Sequence, residues 1–217
     1  RVHSLRSKIY RWNAFYEHES VNGKIKNQYG NKQFAGYSYN RIGAKGERKF
    51  PNAVFYGQFD FRNRKNYFYG RSLDNPSADV DNTEYEKKDM DAQPVNRFLT
   101  QIGINSTHLD SAHLNYKLFG RFRHTNSKSS AKEDHTSIGA DLDYYFNHQF
   151  IGTQGVINYI QNEGMRDTLE HVFVDFNPWI GAFGKKWRIQ IGVNTTYDQK
   201  TAECLFYPSA KLHYNIV

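Results

Sequence analysis

The chain has 217 residues, with 29 Lys and Arg against 22 Asp and Glu, so its formal net charge is +7. Aromatic residues make up 16% of the sequence, the apolar fraction is only 38%, and Cys204 is the one cysteine. This composition excludes a transmembrane helix, which needs roughly 20 consecutive apolar residues, and an internal disulfide framework. It is poor in apolar residues for a globular core and suits a membrane β-barrel, in which only alternate residues of each strand contact lipid.

The positive charge permits an anionic lipid, an acidic solute or a nucleic acid as partner. Lys and Arg are dispersed along the chain, with no block of five or more. We therefore expect no nucleic-acid partner.

Five segments alternate strictly between apolar and polar residues, which predicts strands with one apolar and one polar face. In chain order they cover residues 53–62, 112–123, 136–146, 187–198 and 206–216. Less regular strands are expected near residues 8–16, 33–42, 67–72, 97–105, 150–160 and 171–182. The sequence thus predicts an all-β fold, an antiparallel transmembrane-type β-barrel of about 10–12 strands. Residues 1–217 would form this single domain, either a whole barrel or part of a larger one.

The connections between these strands alternate in length. The short ones are "NRKN" (63–66), "NHQ" (147–149) and "GKK" (184–186), and the long ones are 73–96, 124–134 and 161–170. Outer-membrane barrels have tight periplasmic turns and long extracellular loops, so we expect the short connections at one rim and the long ones at the other. Residues 17–32 depart from this alternation, because they are interpreted as a long connection where a short turn is needed.

In a barrel the apolar faces should point outward, since Arg or Lys facing lipid at the bilayer midplane costs about 2–4 kcal/mol. The residues expected outside are Leu114, Leu118, Ile138, Leu142, Ile189, Ile191, Val193, Leu212 and Tyr214. The candidates for the lumen lining are Lys117, Arg121, Arg123, Asp141, Asp143, Arg188 and Lys211. These charges of both signs could either orient a solute or pair across the lumen and plug it. Aromatic residues at strand ends, such as Tyr144 and Trp187, are typical of the interfacial girdles of such barrels.

Catalytic motifs are missing from the sequence, which contains no G-x-S-x-G, H-E-x-x-H, P-loop or G-x-G-x-x-G. We therefore expect no enzyme activity and no cofactor. One alternative stays open, an outer-membrane lipid hydrolase that would use Ser137 or Ser209 with His135 or His213.

The acidic segment at residues 73–96 is interpreted as a long extracellular loop. Within it, Asp79, Asp81 and Glu84 are weak candidates for a calcium site, because clustered carboxylates suit a hard cation. The segment lacks the spacing of a regular calcium-binding loop, so a solvated loop without metal is the expectation.

Two stretches near the end of the chain, "FNPWIGAFGKKWRIQIGVNTTYD" and "FYPSAKLHYNIV", carry a family resemblance. Together they resemble the tail half of outer-membrane β-barrels of the TonB-dependent-receptor and porin-like kind, especially those of the Bacteroides group. The similarity covers roughly residues 97–217. It implies a place in the bacterial outer membrane, with lipid and lipopolysaccharide as partners. It also implies a porin-like channel, or a receptor wall, for a small polar or anionic solute.

The chain departs from that family in having no plug domain, no TonB-box-like segment and no final strand that ends in Phe or Trp. TonB-coupled uptake is therefore not carried over. We expect a longer native polypeptide, with at least one strand after Val217. The alternative to the barrel is a soluble, surface-exposed β protein that binds glycans through its Tyr and Trp residues.

Overall fold

A computed structural model of the chain describes residues 2–3, 7–26, 32–67, 92–107, 114–128, 131–164 and 168–215. These residues form one antiparallel sheet in which eleven strands follow each other in chain order. The strands are β1 Val2–His3, β2 Tyr10–Lys26, β3 Lys32–Lys49, β4 Ala53–Tyr67, β5 Ala92–Ser106, β6 Leu114–Ser127, β7 Lys132–Phe146, β8 Gln149–Glu163, β9 Thr168–Phe183, β10 Trp187–Asp198 and β11 Glu203–Tyr214. The predicted all-β antiparallel fold is confirmed. No helix in the described part of the chain is long and apolar enough to span a membrane.

Two of the predicted tight turns are confirmed. "NHQ" joins β7 to β8, and Asn147 there has a φ of 52°, a left-handed conformation that Asn tolerates. "GKK" joins β9 to β10, with the Gly184 N–H donating to the Trp187 carbonyl at 2.8 Å. Because the strands run antiparallel in chain order, both turns lie at the same end of the sheet, together with the connection between β3 and β4.

Other predicted connections are wrong, because they belong to strands. The "NRKN" segment lies inside β4, and residues 17–26 continue β2. β6 extends to Ser127 and β7 begins at Lys132, which shortens the predicted loop 124–134. The predicted loop 161–170 is shortened in the same way by β8 and β9. In all four cases the residues are mostly polar on both faces, with Val21, Ile25 and Leu169 as exceptions, but their backbone groups are paired with neighbouring strands.

Ten of the eleven strands expected from the sequence correspond to the long strands β2–β11. The strand expected near residues 67–72 lies outside the described residues except for Tyr67, and the two-residue β1 was not expected. Most of the acidic segment 73–96 also lies outside them.

The two faces of the sheet differ in which side chains are buried: polar side chains are buried on one face, and large hydrophobic side chains are exposed on the other. On one face, which we call the polar face, lie four polar residues at most 9% exposed, namely Asp60, Gln101, Asn115 and Ser137, together with the fully buried Phe150. The other, the apolar face, carries the exposed large hydrophobic residues of the strands except for Val21, Leu169, Leu205 and Tyr207. All nine residues expected outside lie on the apolar face, and only Leu142 among them is half-buried.

The polar face is the concave one. Tyr145 on β7 and Phe183 on β9 have ring centroids 6.2 Å apart although β8 lies between them. The Arg188 guanidinium on β10 reaches the Tyr145 hydroxyl at 3.4 Å. Side chains of non-adjacent strands meet in this way where a sheet curves toward them.

The sheet is open, with β11 at one edge and β2, partly covered by β1, at the other. β1 pairs only with Asn13 and Ala14 of β2. Among the described residues, β2 and β11 are not paired with each other, so the seam that a complete barrel would need between residues 8–16 and 205–216 is not formed.

Candidate functional site: the polar face

All seven residues predicted to line a lumen share the polar face. The register places Lys117 opposite Asp141 and Asn115 opposite Asp143. It also places Lys211 opposite Gln190, two residues along from Arg188. The face therefore combines charges of both signs, as the alternation in the sequence predicts.

These seven residues are not one cluster. The Arg123 Nη2 donates to Glu133 at 2.7 Å and lies 2.9 Å from the His135 Nδ1. The Arg121 Nε donates to the Gln101 Oε1 at 3.2 Å. Arg188 and Lys211 lie several strands away, on β10 and β11. The charged groups are spread over the face and mostly satisfied by close neighbours.

Three arginines of the polar face stack on aromatic rings that lie flat over glycines of the next strand. Phe15, Phe119 and Phe150 are directly opposite Gly43, Gly139 and Gly181 in the register. A Cβ on any of these glycines would overlap the ring. The guanidinium carbons of Arg41, Arg121 and Arg188 lie 4.7, 5.7 and 4.2 Å from the respective ring centroids. We call each of these units a glycine–ring–cation stack.

The stacks let a wide side chain lie down on a curved sheet. A glycine leaves room for the ring, and the cation covers the ring's other face, where the quadrupole attracts positive charge. Phe150 is 0% exposed because its ring also packs against the rings of Tyr145 and Phe183, whereas Phe15 and Phe119 are half-buried. Tyr56 over Gly103 and Trp179 over Gly152 repeat the glycine–ring part, with no cation from the described residues over the ring. Sequence reasoning missed the stacks, because their members come from different strands and only the register brings them together.

A polar network joins β7, β8, β9 and β10. Asn158 accepts from the Ser137 hydroxyl at 2.8 Å and donates to the Asp175 Oδ2 at 3.2 Å. The Thr196 hydroxyl donates to the Asp175 Oδ1 at 2.8 Å. These bonds run across the strands and fix the side chains of the polar face in place.

The network includes one pair considered for hydrolysis, Ser137 and His135. The Ser137 Oγ lies 3.1 Å from the His135 Nε2. The His135 Nδ1 faces the Arg123 Nη2, which can only donate, so that ring nitrogen accepts and the proton sits on Nε2. The Nε2 atom, which faces the serine, then has no lone pair for the serine proton, and Ser137 is only 3% exposed. This geometry gives the serine no general base. Ser209 and His213 lie on β11, away from this pair.

Three arginines, Arg41, Arg62 and Arg97, stand in one row across β3, β4 and β5. The register places Arg41 opposite Arg62 and Arg62 opposite Arg97. Asp60 lies between the first two, 2.6 Å from the Arg41 Nη2 and 2.5 Å from the Arg62 Nε. Sequence reasoning did not select these arginines, because the signal exists only in the pairing of three separate strands.

The described residues contain no group of three or more His, Cys, Asp and Glu that could hold a metal ion. The weak calcium candidates Asp79, Asp81 and Glu84 lie outside the described residues.

Comparison with protein-family models and with curated proteins gave no match. The resemblance to outer-membrane barrels therefore stays a prediction based on the quoted residues.

Proposed function

We propose that the chain forms the wall of a bacterial outer-membrane β-barrel that acts as a porin-like channel, or as a receptor wall, for a small polar or anionic solute. The apolar face contacts lipid and the polar face lines the interior. The observation that carries this proposal is the inverted burial of the sheet, with polar side chains buried on one face and aliphatic side chains exposed on the other. A soluble single sheet would leave this large apolar surface in water, whereas lipid covers it.

The dimensions of the apolar face support the proposal. On β10, Trp187 and Tyr197 lie on this face ten residues apart, which is about 34 Å along the strand at roughly 3.4 Å per residue. A strand tilt of about 40° reduces this to about 26 Å, close to the apolar band of outer-membrane barrels at roughly 25 Å. The two aromatic residues would then sit at the two interfaces.

Aromatic residues mark the same two levels on other strands. Near the short turns the apolar face carries Tyr10, Trp12, Phe55, Tyr144, Phe146, Trp187 and Tyr214. Towards the other end it carries Tyr16, Phe59, Phe98, Phe122, Tyr159, Phe176, Tyr197 and Phe206. Beyond the second level the same face becomes polar, for example at Asn63, Asn96 and Asn126. This order of residues fits strands that cross a bilayer and extend past it into water.

A barrel in lipid must also close, because each unpaired backbone group in hydrocarbon costs several kcal/mol. The ten long strands β2–β11 are an even number, so β2 and β11 run antiparallel to each other. Single-chain bacterial barrels generally have an even number of antiparallel strands. We therefore include in the proposal that the two edges are joined in a membrane, directly if these ten strands make up the whole barrel and through further strands if the native barrel is larger.

Reconstitution tests the proposal. The purified protein should need detergent to stay monodisperse and should give discrete conductance steps in a planar lipid bilayer. A protein that stays monodisperse in plain buffer and gives no conductance would contradict the proposal and favour the soluble glycan-binding alternative.

A further inference from the structure

Among the described residues, the row of Arg41, Arg62 and Arg97 has too few carboxylates for its charges. Like charges directly opposite each other on adjacent strands are destabilising. Asp60 offsets this for the first two arginines, and Glu17 lies 3.5 Å from the Arg41 Nη1. Neither carboxylate is paired with Arg97.

Arg97 has no such compensation. Among the described residues it makes no hydrogen bond and no ion pair, and its direct neighbours across the sheet are Arg62 and Thr125. Arg62 uses its Nε for Asp60, and its terminal nitrogens have no partner in the described part of the chain. Two guanidinium groups on adjacent strands thus have donors free on the same concave face.

We propose that Arg62 and Arg97 form a binding site for an oxyanion, a carboxylate or phosphate group of a small solute. Directly opposite residues have Cα atoms about 5 Å apart, so one oxyanion between the two side chains can accept hydrogen bonds from both. Guanidinium groups bind carboxylate and phosphate oxygens through paired N–H donors. Asp60 holds Arg41 and Arg62 in place.

The inference deepens the proposed function and rests on it in one respect, that the site lies on the path of the solute. It names the charge of that solute as negative. Rings of Arg or Lys at a pore wall favour anions in general.

Binding of pyrophosphate and of citrate to the detergent-purified protein tests the site, measured by isothermal titration calorimetry at low salt. We expect Arg97→Gln to weaken the binding of at least one probe roughly tenfold, because the change removes a charged donor group that the oxyanion would accept from. Arg97→Lys keeps the positive charge but loses the paired N–H donors of the guanidinium group, and it should weaken binding by less than Arg97→Gln does. Lys49→Gln is the matched control, since it removes one positive charge from the same face at the end of β3, eight residues along that strand from Arg41, and it should leave binding unchanged.

The two probes also separate the sources of the oxyanion, a phosphate from a carboxylate. Equal loss in Arg97→Gln and Lys49→Gln would show a general charge effect and overturn the proposal. No binding by the wild-type protein would also overturn it. If Arg97→Gln fails to fold, Arg97→Lys decides. Weaker binding in that variant beside unchanged binding in Lys49→Gln supports the paired-donor site, and unchanged binding in Arg97→Lys overturns it. Conductance without anion binding would refute this site but not the proposed channel. Anion binding without conductance would refute the channel but not the site.

Discussion

At the residue scale, the glycine–ring–cation stacks explain how a face that carries many charges can also bury a phenylalanine completely. The ring of Phe150 fills the space over Gly181, and Arg188 covers it. The glycine is needed for space, because any side chain there would meet the ring and the Ile189 carbonyl oxygen.

Replacement of this glycine should therefore be costly. We expect Gly181→Ala to lower the free energy of unfolding by about 1–3 kcal/mol, because the added methyl group forces the ring and the backbone of β10 to shift. Gly155→Ala is the control, since a Cβ there meets nothing within 4 Å. It should be neutral or slightly stabilising, because glycine in a strand is unfavourable relative to alanine by roughly 0.5–1 kcal/mol. Urea unfolding in detergent measures both, and equal effects would contradict the stack.

The second prediction concerns Asp60. Its side chain is 12% exposed and accepts from two arginines. We expect Asp60→Asn to destabilise the protein by about 1–3 kcal/mol, because it leaves two guanidinium groups without their charged acceptor. Glu163→Gln is the control, since its pair with Lys132 is exposed and exposed pairs contribute about 0–1 kcal/mol. Unfolding by urea at neutral pH should separate the two, and a larger loss for Glu163→Gln would contradict the assignment.

At the scale of the element, sequence patterns predict a strand well where its two faces differ. β10 spans Trp187–Asp198, as its alternation predicts, and the Asn147 turn lies where expected. The prediction fails at residues 63–66, because both faces are polar there and the periodic signal disappears. The strand persists at that point because β3 and β5 pair with its backbone on both sides. The stacks and the arginine row could not be predicted, since they depend on register between strands that are distant in sequence.

The same strand distinguishes a lipid-facing from a water-facing apolar surface. Ile191 is 60% exposed in the protein without lipid, so in a soluble protein Ile191→Arg should change stability by less than about 0.5 kcal/mol. In a barrel wall the same change should cost about 2–4 kcal/mol. We expect the larger value when unfolding is measured in lipid vesicles.

The control for this test is Gln190→Arg, on the opposite face of the same strand, which should be close to neutral. A neutral Ile191→Arg in vesicles would show that this surface does not face hydrocarbon.

At the scale of the whole molecule, the sheet is open and leaves backbone groups unpaired at its two edge strands. Long unpaired edges in a membrane are excluded by the cost of unpaired backbone groups, and β11 exposes one edge over its whole length. We expect β2 and β11 to pair with each other in lipid if these strands make up the whole barrel, and with further strands if the native barrel is larger.

Cys204, the exposed natural cysteine of β11, allows this pairing to be tested. Single cysteines introduced along β2 on the apolar face, from Trp12 to Asn22, should include one that forms an intramolecular disulfide with Cys204 in vesicles. A disulfide needs Cα atoms about 4.4–6.8 Å apart, so it reports direct pairing. The absence of any intramolecular disulfide over the whole scan would mean that the two edges do not pair with each other.

We expect one face of this sheet to contact lipid and the other to contact water. Nitroxide spin labels attached one at a time at residues 188–193 of β10, in vesicles, would distinguish the two faces. Collision rates with oxygen, which concentrates in the bilayer, should be high at Ile189, Ile191 and Val193. Collision rates with a water-soluble nickel chelate should be high at Arg188, Gln190 and Gly192. We expect both collision rates to vary with a period of two residues and to be out of phase with each other. Equal access of the nickel chelate to both faces, or higher oxygen collision rates on the charged face, would show that the apolar face does not contact lipid.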